Sequence, residues 1–489
     1  MRITSPILVF LCALAWVVCD GADPAPAAAG IRPNILYIIA DNWGYPHASA
    51  LGDPTAKTPV FDRIAREGVL FTHTFCPVPS CSPTRSCILT GRVAHQLEEA
   101  ASLWSAFPKK HRVFTEQLRA SNYEVGFTGK GWAPGNYLDF GWNENPVGKQ
   151  FKSFDDFMSV RDAGKPFFFW LGNTDTASGK WRYEPETCAG MDAASVFVPP
   201  QFPDVPVVRT NLLAYYAAVR RLDQAVGTAL ALLEKANQLD NTVVVYTSDN
   251  GWQMPRGLAN CYDTGCRVPL AIRWGNRLPA GRRVDKFIDL TDLAPTFLEL
   301  AGLKPTSEMT AHSFVDLLLD RPSTTSRDAI FVERERHANV RRGDLSYPIR
   351  GVRTRDFLYL WNLRPDRWPA GDPQVYWAVG DYGDVDASPT KDFILANATR
   401  PEFGKYFDLI FGKRPAEELY DLRNDPHQVT NVAARSSYAD EKRRLRTRVE
   451  QWMKETADPR VDPGADPWDK YPYYGGNAGA KGLAKQKSR

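Results

Sequence analysis

Two short apolar runs far apart in the chain finish in the same way. Asn34-Ile35-Leu36-Tyr37-Ile38-Ile39-Ala40 runs into Asp41-Asn42, and Thr242-Val243-Val244-Val245-Tyr246-Thr247-Ser248 runs into Asp249-Asn250-Gly251. A stretch that is apolar at nearly every position, rather than at every second one, suits a strand covered on both faces, as inside a parallel sheet. Ligand sites of open α/β sheets gather at the carboxyl ends of the strands, so two Asp-Asn pairs distant in sequence can meet in space. Apolar β-runs alternate with helical stretches from about residue 32 to 300. Phe61 through Gly68 reads as a helix with a glycine stop, and Asn211 through Ala236 as a longer amphipathic helix. This alternation predicts an α/β fold, with a mainly parallel central sheet flanked by helices on both sides.

After Pro322 the texture changes. Asp328 through Val332 and Tyr347 through Asn362 read as strands with charged alternation, suited to a smaller antiparallel sheet, and a last helix is expected from about Tyr438 to Thr456. The expected organisation is a leader over residues 1–29, a catalytic domain over 30–325, a smaller α+β domain over 326–460 and an irregular tail over 461–489. The leader has Arg2, an apolar run from Ile7 to Val18 and then Ala/Pro-rich residues, the pattern of a secretory signal peptide. It predicts a secreted or periplasmic protein (lysosomal in a eukaryote) with no membrane span after cleavage. Near-balanced charge (+3 over 489 residues) and 12% aromatics argue against disorder and against a general affinity for nucleic acid.

Chemistry concentrates in Cys81-Ser82-Pro83-Thr84-Arg85-Ser86-Cys87-Ile88-Leu89-Thr90-Gly91-Arg92. Ser82 followed by Pro83 reads as an N-cap and a first-turn proline, Ile88 and Leu89 give a short helix its apolar side, and Gly91 stops it. Cys81 is then placed at a helix N-terminus, where free N–H groups favour an oxyanion. Arg85, four residues on, leans back towards it with a planar fork suited to sulfate. Cys at the first position, Pro at the third, Arg at the fifth and Thr-Gly at the tenth and eleventh resemble the activation sequence of type I sulfatases. The resemblance implies an alkaline-phosphatase-like fold and conversion of Cys81 to formylglycine by a formylglycine-generating maturase. In the hydrated aldehyde one hydroxyl attacks sulfur while the other later expels sulfate.

The same resemblance implies that Asp41, Asn42, Asp249 and Asn250, together with the residue at Cys81, hold a divalent metal. An all-oxygen side-chain set suits Ca²⁺ before Mg²⁺. Asn42 stands where the commonest family form has a second aspartate, so the site carries one negative charge fewer. Lys130, in Lys130-Gly131-Trp132, matches the family lysine, but Trp132 stands where a histidine is usual. The segment Gly172 through Ser178 lacks the family's second histidine, and Leu258 stands where a Lys or Arg is common, with Arg256 two residues away. His47, His95 and His337 are the candidates to replace the missing histidines.

Cys81 through Gln96 and Tyr347 through Thr354 look most like the heparan N-sulfatase (sulfamidase) branch, which implies a sulfated glycan or small sulfated sugar as substrate. His337, Arg336 and Arg256 are expected to bind it. Two other functions are compatible with these residues: a phosphonate or phosphate monoester hydrolase of the same superfamily, and a catalytically weakened sulfated-glycan-binding relative. Converting Cys81 leaves Cys76, Cys87, Cys188, Cys261 and Cys266 after the leader, an odd number, and Cys261 is near enough to Cys266 for a loop disulfide.

Overall fold

The computed structural model describes residues 32–181, 183–184, 186–322, 327–374 and 380–475. The expected leader and the end of the expected tail lie outside these residues. The main sheet contains β1 (Asn34–Ala40), β2 (Val69–Phe75), β3 (Glu124–Gly129), β4 (Lys149–Gln150), β5 (Phe167–Asn173), β6 (Thr242–Ser248), β7 (Arg267–Arg273) and β8 (Arg282–Asp289). Their order is β8-β2-β7-β6-β1-β5-β3-β4. Only β7 runs antiparallel to its neighbours, β2 and β6. The two runs that end in Asp-Asn are therefore adjacent parallel strands in the middle of the sheet, with Ala40 beside Ser248.

Every residue of β1 and of β6 is buried. Alternate side chains explain why. Ile35, Tyr37 and Ile39 face a core that includes Cys87, Leu89 and Phe297, while Leu36, Ile38 and Ala40 face one that includes Leu212, Tyr215 and Val219. The latter three come from the helix Pro206–Lys235, which starts earlier than the amphipathic pattern suggests, at a proline in its first turn. The helix Pro59–Glu67 ends at Gly68, as expected.

A second, antiparallel sheet pairs Ala329–Arg334, Ile349–Thr354, Phe357–Asn362 and Glu417–Asp421 in that order. One face is covered by the helix Ala439–Glu455 through Leu445, Val449 and Met453. From the other face Ile330, Val332, Ile349 and Leu360 join the core of the main sheet. A buried ionic network adds to this junction. Arg350 meets Asp458 at 2.5 Å and Glu335 at 2.8 Å, Arg460 meets Glu335 at 2.6 Å, and His95 meets Glu333 at 3.0 Å.

The start of the expected irregular tail packs against the rest of the chain: Trp468 donates to Glu98 O at 2.7 Å, and Arg336 to Tyr471 O at 2.7 Å. Cys261 and Cys266 are free thiols, as are the other described cysteines. Among the described residues no helix is long and apolar enough to cross a membrane.

Candidate active site

The ends of β1 and β6 build the first half of the site. Backbone pairing continues one step past the strands, with Asp41 N–H donating to Asn173 O at 2.9 Å and Asp249 N–H to Ala40 O at 3.1 Å. Asn42 then adopts φ +72°, a left-handed conformation that Asn tolerates better than most residues. This turn brings its N–H to Asp249 Oδ1 at 3.1 Å and its Oδ1 to Asn250 Nδ2 at 2.6 Å. The two Asp-Asn pairs are thus bonded directly to each other.

The helix Cys81–Thr90 supplies the second half. All ten of its residues are buried, so the single apolar side expected of it is replaced by burial all round. Ser86 Oγ donates to Ser82 O at 2.8 Å and accepts from Trp132 Nε1 at 2.8 Å, whereas Ser82 Oγ is buried with no hydrogen-bond partner. Ser80, not Ser82, occupies the N-cap position, and its hydroxyl meets His337 Nδ1 at 2.8 Å instead of capping the helix. Gly91 closes the helix at φ +66°, with its N–H on Cys87 O at 2.8 Å.

Cys81 Sγ lies 3.3 Å from Asp41 Oδ1 and 3.8 Å from Asn42 Oδ1. One turn on, Arg85 sends Nε to Asp249 Oδ2 at 2.9 Å and one terminal nitrogen to the carbonyls of Lys130 and Gly131 at 2.6 and 2.8 Å. Lys130 Nζ donates to Asp41 Oδ1 at 2.6 Å, and the Lys130 carbonyl also accepts from Trp170 Nε1 at 3.0 Å. Asp41, Asn42, Cys81, Arg85, Lys130, Asp249 and Asn250 therefore form one buried cluster.

Its charges are balanced, two carboxylates against two cations. Burial alone raises a carboxyl pKa; at Asp41 this is overcome by Lys130 and then Arg85, which hold it below the usual range. Burial prevails at Asp249 over the opposing Arg85, and the Asp41 charge adds to it, so this carboxyl is pushed up. Burial and then Asp41 drive the Cys81 thiol well up, so an unmodified Cys81 is a neutral thiol and a poor nucleophile. Burial opposes the Lys130 charge, but Asp41 outweighs it and the ammonium is stabilised.

The donor set fits a hard divalent cation. Ligand atoms of Asp41, Cys81 and Asp249 all lie within 4.8 Å of one another. Asn250 Oδ1 is buried with no hydrogen-bond partner, an orphaned carbonyl on the residue that follows Asp249. Such an oxygen is costly unless something electropositive meets it.

Residues 33–303, more than half the chain, match the sulfatase family profile. The chain belongs to the sulfatase family. Residues 256–372 also match the profile described as N-sulphoglucosamine sulphohydrolase, C-terminal. Human N-sulphoglucosamine sulphohydrolase is 29% identical, over 88% of this chain and 92% of its own. An ulvan-active sulfatase of Formosa agariphila is 25% identical, over 92% and 82%. Among solved structures, a protein in complex with its substrate D-glucosamine-2-N,6-O-disulfate aligns with a TM-score of 0.60 at 19% identity, covering 90% of this chain and 99% of its own. The phosphonate monoester hydrolase of Agrobacterium radiobacter aligns at 0.65 and 17%, covering 87% and 96%. At these identities the two structures show the fold alone, an alkaline-phosphatase-like mixed sheet with its smaller antiparallel companion.

Three positions depart from the sulfatase pattern in ways the structure makes concrete. Trp132 is fully buried and stacks on Phe107 at 5.2 Å, so its ring belongs to the core. Ala177 brings no ionisable group, and Leu258 is buried with its N–H on Trp252 O. Of the three histidines offered as replacements, His47 is engaged with Asp53 and Tyr216, and His95 with Glu333 and Thr456. Only His337 comes close to the nucleophile position, through Ser80. Burial lowers its pKa to about 4, opposed by Asp384 and assisted by Arg334, Arg341 and Lys130, so the ring is neutral at neutral pH.

Arg336 and Arg256 correct the expectation that both face substrate. Arg336 donates to the carbonyls of Asp344, Tyr471 and Pro472. Arg256 lies 3.6 Å over the Tyr262 ring and donates to Leu409 O at 3.0 Å. A buried guanidinium carries five donors to satisfy; backbone carbonyls take several of them here, while Arg336 Nε is left without a partner.

Sequence reasoning missed Ser80, Thr176, Gln253 and Asp386. Thr176 Oγ1 donates to Asp41 O at 2.8 Å. Gln253 Nε2 donates to Asp386 Oδ2, while its Oε1 accepts from Ser178 N–H. Ser80 adjoins the motif and was within reach of a reading that doubted Ser82 as cap. Asp386, in an irregular segment, has no sequence signal.

Proposed function

We propose that the chain hydrolyses the sulfate ester or sulfamate of a sulfated sugar, with formylglycine made from Cys81 as the nucleophile. The observation that carries this is the approach of Cys81 Sγ to 3.3 Å from Asp41 Oδ1, inside a buried cluster with Asp249, Arg85 and Lys130. Asp41, Asn42, Asp249 and Asn250 would hold the divalent cation, Ca²⁺ before Mg²⁺, since the donors are oxygens of mixed charge. When bound, the cation supplies positive charge to a sulfate oxygen and to the nucleophile hydroxyl.

The chain's own residues do the rest. Arg85, locked to Asp249 and to two carbonyls, fixes the helix start against the strand ends. Lys130 presents an ammonium beside the nucleophile position, where it binds a sulfate oxygen and offsets charge that develops in the transition state. Neutral His337 holds Ser80 and with it the backbone before Cys81, a positioning role rather than direct contact with substrate. The likeness to N-sulphoglucosamine sulphohydrolase supports an N-sulfated amino sugar within this class. The leader-like N-terminus supports export, and the cysteine motif supports a maturase as partner.

The test is sulfate release by maturase-coexpressed protein from glucosamine N-sulfate, run beside hydrolysis of an aryl phosphate. Preference for the sulfated sugar is the expected result, and a large preference for phosphate contradicts it. Trp132, Ala177 and Leu258 support one rival, a glycan-binding relative without catalysis, which predicts sugar binding and no sulfate release although Cys81 is converted.

A further inference from the structure

Where the two sheets meet, His95 stands inside a buried group of charges that the proposed reaction does not use. It lies in the segment Ala94–Ala101, shortly after Gly91 closes the nucleophile helix. Its Nδ1 meets Glu333 Oε2, on the strand Ala329–Arg334, at 3.0 Å and lies 3.8 Å from Asp458 Oδ2. Its Nε2 meets Thr456 Oγ1 at 2.9 Å and Thr456 O at 3.3 Å, just past the helix Ala439–Glu455. Trp452 of that helix packs T-shaped against the ring, centroids 5.1 Å apart.

Both ring nitrogens face oxygens that have no hydrogen to offer. Glu333 Oε1 accepts the N–H groups of Ala94 and His95 at 2.8 and 3.3 Å, which favours the carboxylate and leaves Oε2 as an acceptor. The Thr456 hydroxyl donates to Trp452 O at 2.6 Å, so its oxygen accepts from Nε2. A ring that donates from both nitrogens is an imidazolium. Charge balance requires the same state. The side chains of His95, Arg350, Arg460, Glu333, Glu335 and Asp458 are each at most 3% exposed and are joined in one network. Three carboxylates meet three cations only while His95 carries its proton. Asp466 also meets Arg460, but it stands at the rim, one quarter exposed and shared with Arg364. Cys87 senses Glu333, yet burial and then that charge drive its thiol well up, so it adds no charge. Glu98, on the segment of His95 itself, pairs with Lys110 at 2.6 Å. Losing the proton leaves one buried negative charge uncompensated, which is costly. Burial opposes the charge on the ring, but Glu333 and then Asp458 outweigh it and raise its pKa above the ordinary 6.5.

We propose that His95 is a proton-operated clamp, which as an imidazolium ties the segment behind the nucleophile helix to the second sheet and to the end of the last helix, and slackens when the proton leaves. Glu333 also donates its N–H to Pro77 O at 2.9 Å, so the strand that holds the clamp also holds the approach to Cys81. A neutral ring keeps one donor, and Nε2 regains a bond only if the Thr456 hydroxyl leaves Trp452 O. With a folded pKa above the unfolded one, the stability this ring contributes is complete below about pH 6.5 and is lost as pH rises through the folded value. That window is the reverse of the one set by a ring buried neutral, as His337 is. The clamp suits the chain to mildly acid surroundings, and it stands whether or not Cys81 becomes a sulfatase nucleophile.

Nuclear magnetic resonance of the full chain, with its histidine rings labelled, reads the charge directly. The signal missing from His95→Gln identifies the ring. It should still be mostly imidazolium at about pH 6.5, where an ordinary histidine is half titrated; a ring already half neutral at or below that pH overturns the proposal. Glu333→Gln keeps the shape of the partner without its charge and should move the midpoint down, so an unmoved midpoint also counts against the clamp. Thermal midpoints measured from about pH 5 to about pH 9 give the coupling to stability. Wild type should exceed His95→Gln most at the acid end, with the gap narrowing as pH rises. A gap that stays constant or widens with pH contradicts the clamp. Should the variants not fold, the wild-type ring is assigned through its contact with Trp452, and its titration decides alone.

Discussion

Asn42 is the residue at which this chain departs most simply from its family. Its amide oxygen accepts from Asn250 and its N–H reaches Asp249, roles that an aspartate fills without moving the backbone. Cation affinity at such sites rises with the number of charged ligands. Asn42→Asp should therefore tighten Ca²⁺ binding by about tenfold or more by calorimetry; unchanged affinity would remove position 42 from the cation site. His337 gives a prediction in pH. Its folded pKa is about 4 against an ordinary 6.5, so the unfolded chain takes up the proton first as pH falls. The stability this ring contributes is complete above about pH 6.5 and is lost as pH falls towards 4. The thermal midpoint of wild type, measured against His337→Asn, should drop across that window, and a constant difference would contradict the assignment. The residues that fixed motif spacing singles out, from Asp41 to Asn250, were legible in the sequence. Arg336 and Arg256 were not, because a run of arginines and aromatics looks alike whether its guanidiniums face substrate or buried carbonyls.

At the scale of elements, the helix Cys81–Thr90 carries the nucleophile position and must stop where it does. Gly91 closes it in the left-handed region, and a Cβ there would approach the Met309 side chain to 2.9 Å. An L-residue in that conformation costs about 1–2 kcal/mol, so Gly91→Ala should lower unfolding free energy by that amount in urea titration. A change near zero would show that the cap is not held this way. The strands β1 and β6 were readable because burial on both faces leaves an unbroken apolar run. The cap of the nucleophile helix was misread, because Ser80 takes its partner from His337, more than two hundred residues later. Local propensity cannot register a competitor that only tertiary folding supplies.

For the whole molecule, the part of the chain beyond residue 326 completes the part before it. It contributes His337, bonded to Ser80 at the start of the nucleophile helix, and residues of a shared core. The ionic network around Arg350 stands at this junction. Asp458→Ala leaves that buried guanidinium without its nearest carboxylate, and losses of this kind cost about 3–5 kcal/mol. Unfolding at markedly lower denaturant is expected, and retention of wild-type stability would place the junction's strength elsewhere. The fold class was legible from the alternation of elements, while the docking of residues 461–475 was not, because a Gly/Pro-rich tail gives no periodic signal. The central claim is covalent, and mass spectrometry of the Cys81 peptide from sulfate-releasing, maturase-coexpressed protein tests it most directly. The expected result is a peptide lighter by ~18 Da, the change from thiol to aldehyde. Active protein whose peptide carries an intact thiol would contradict it.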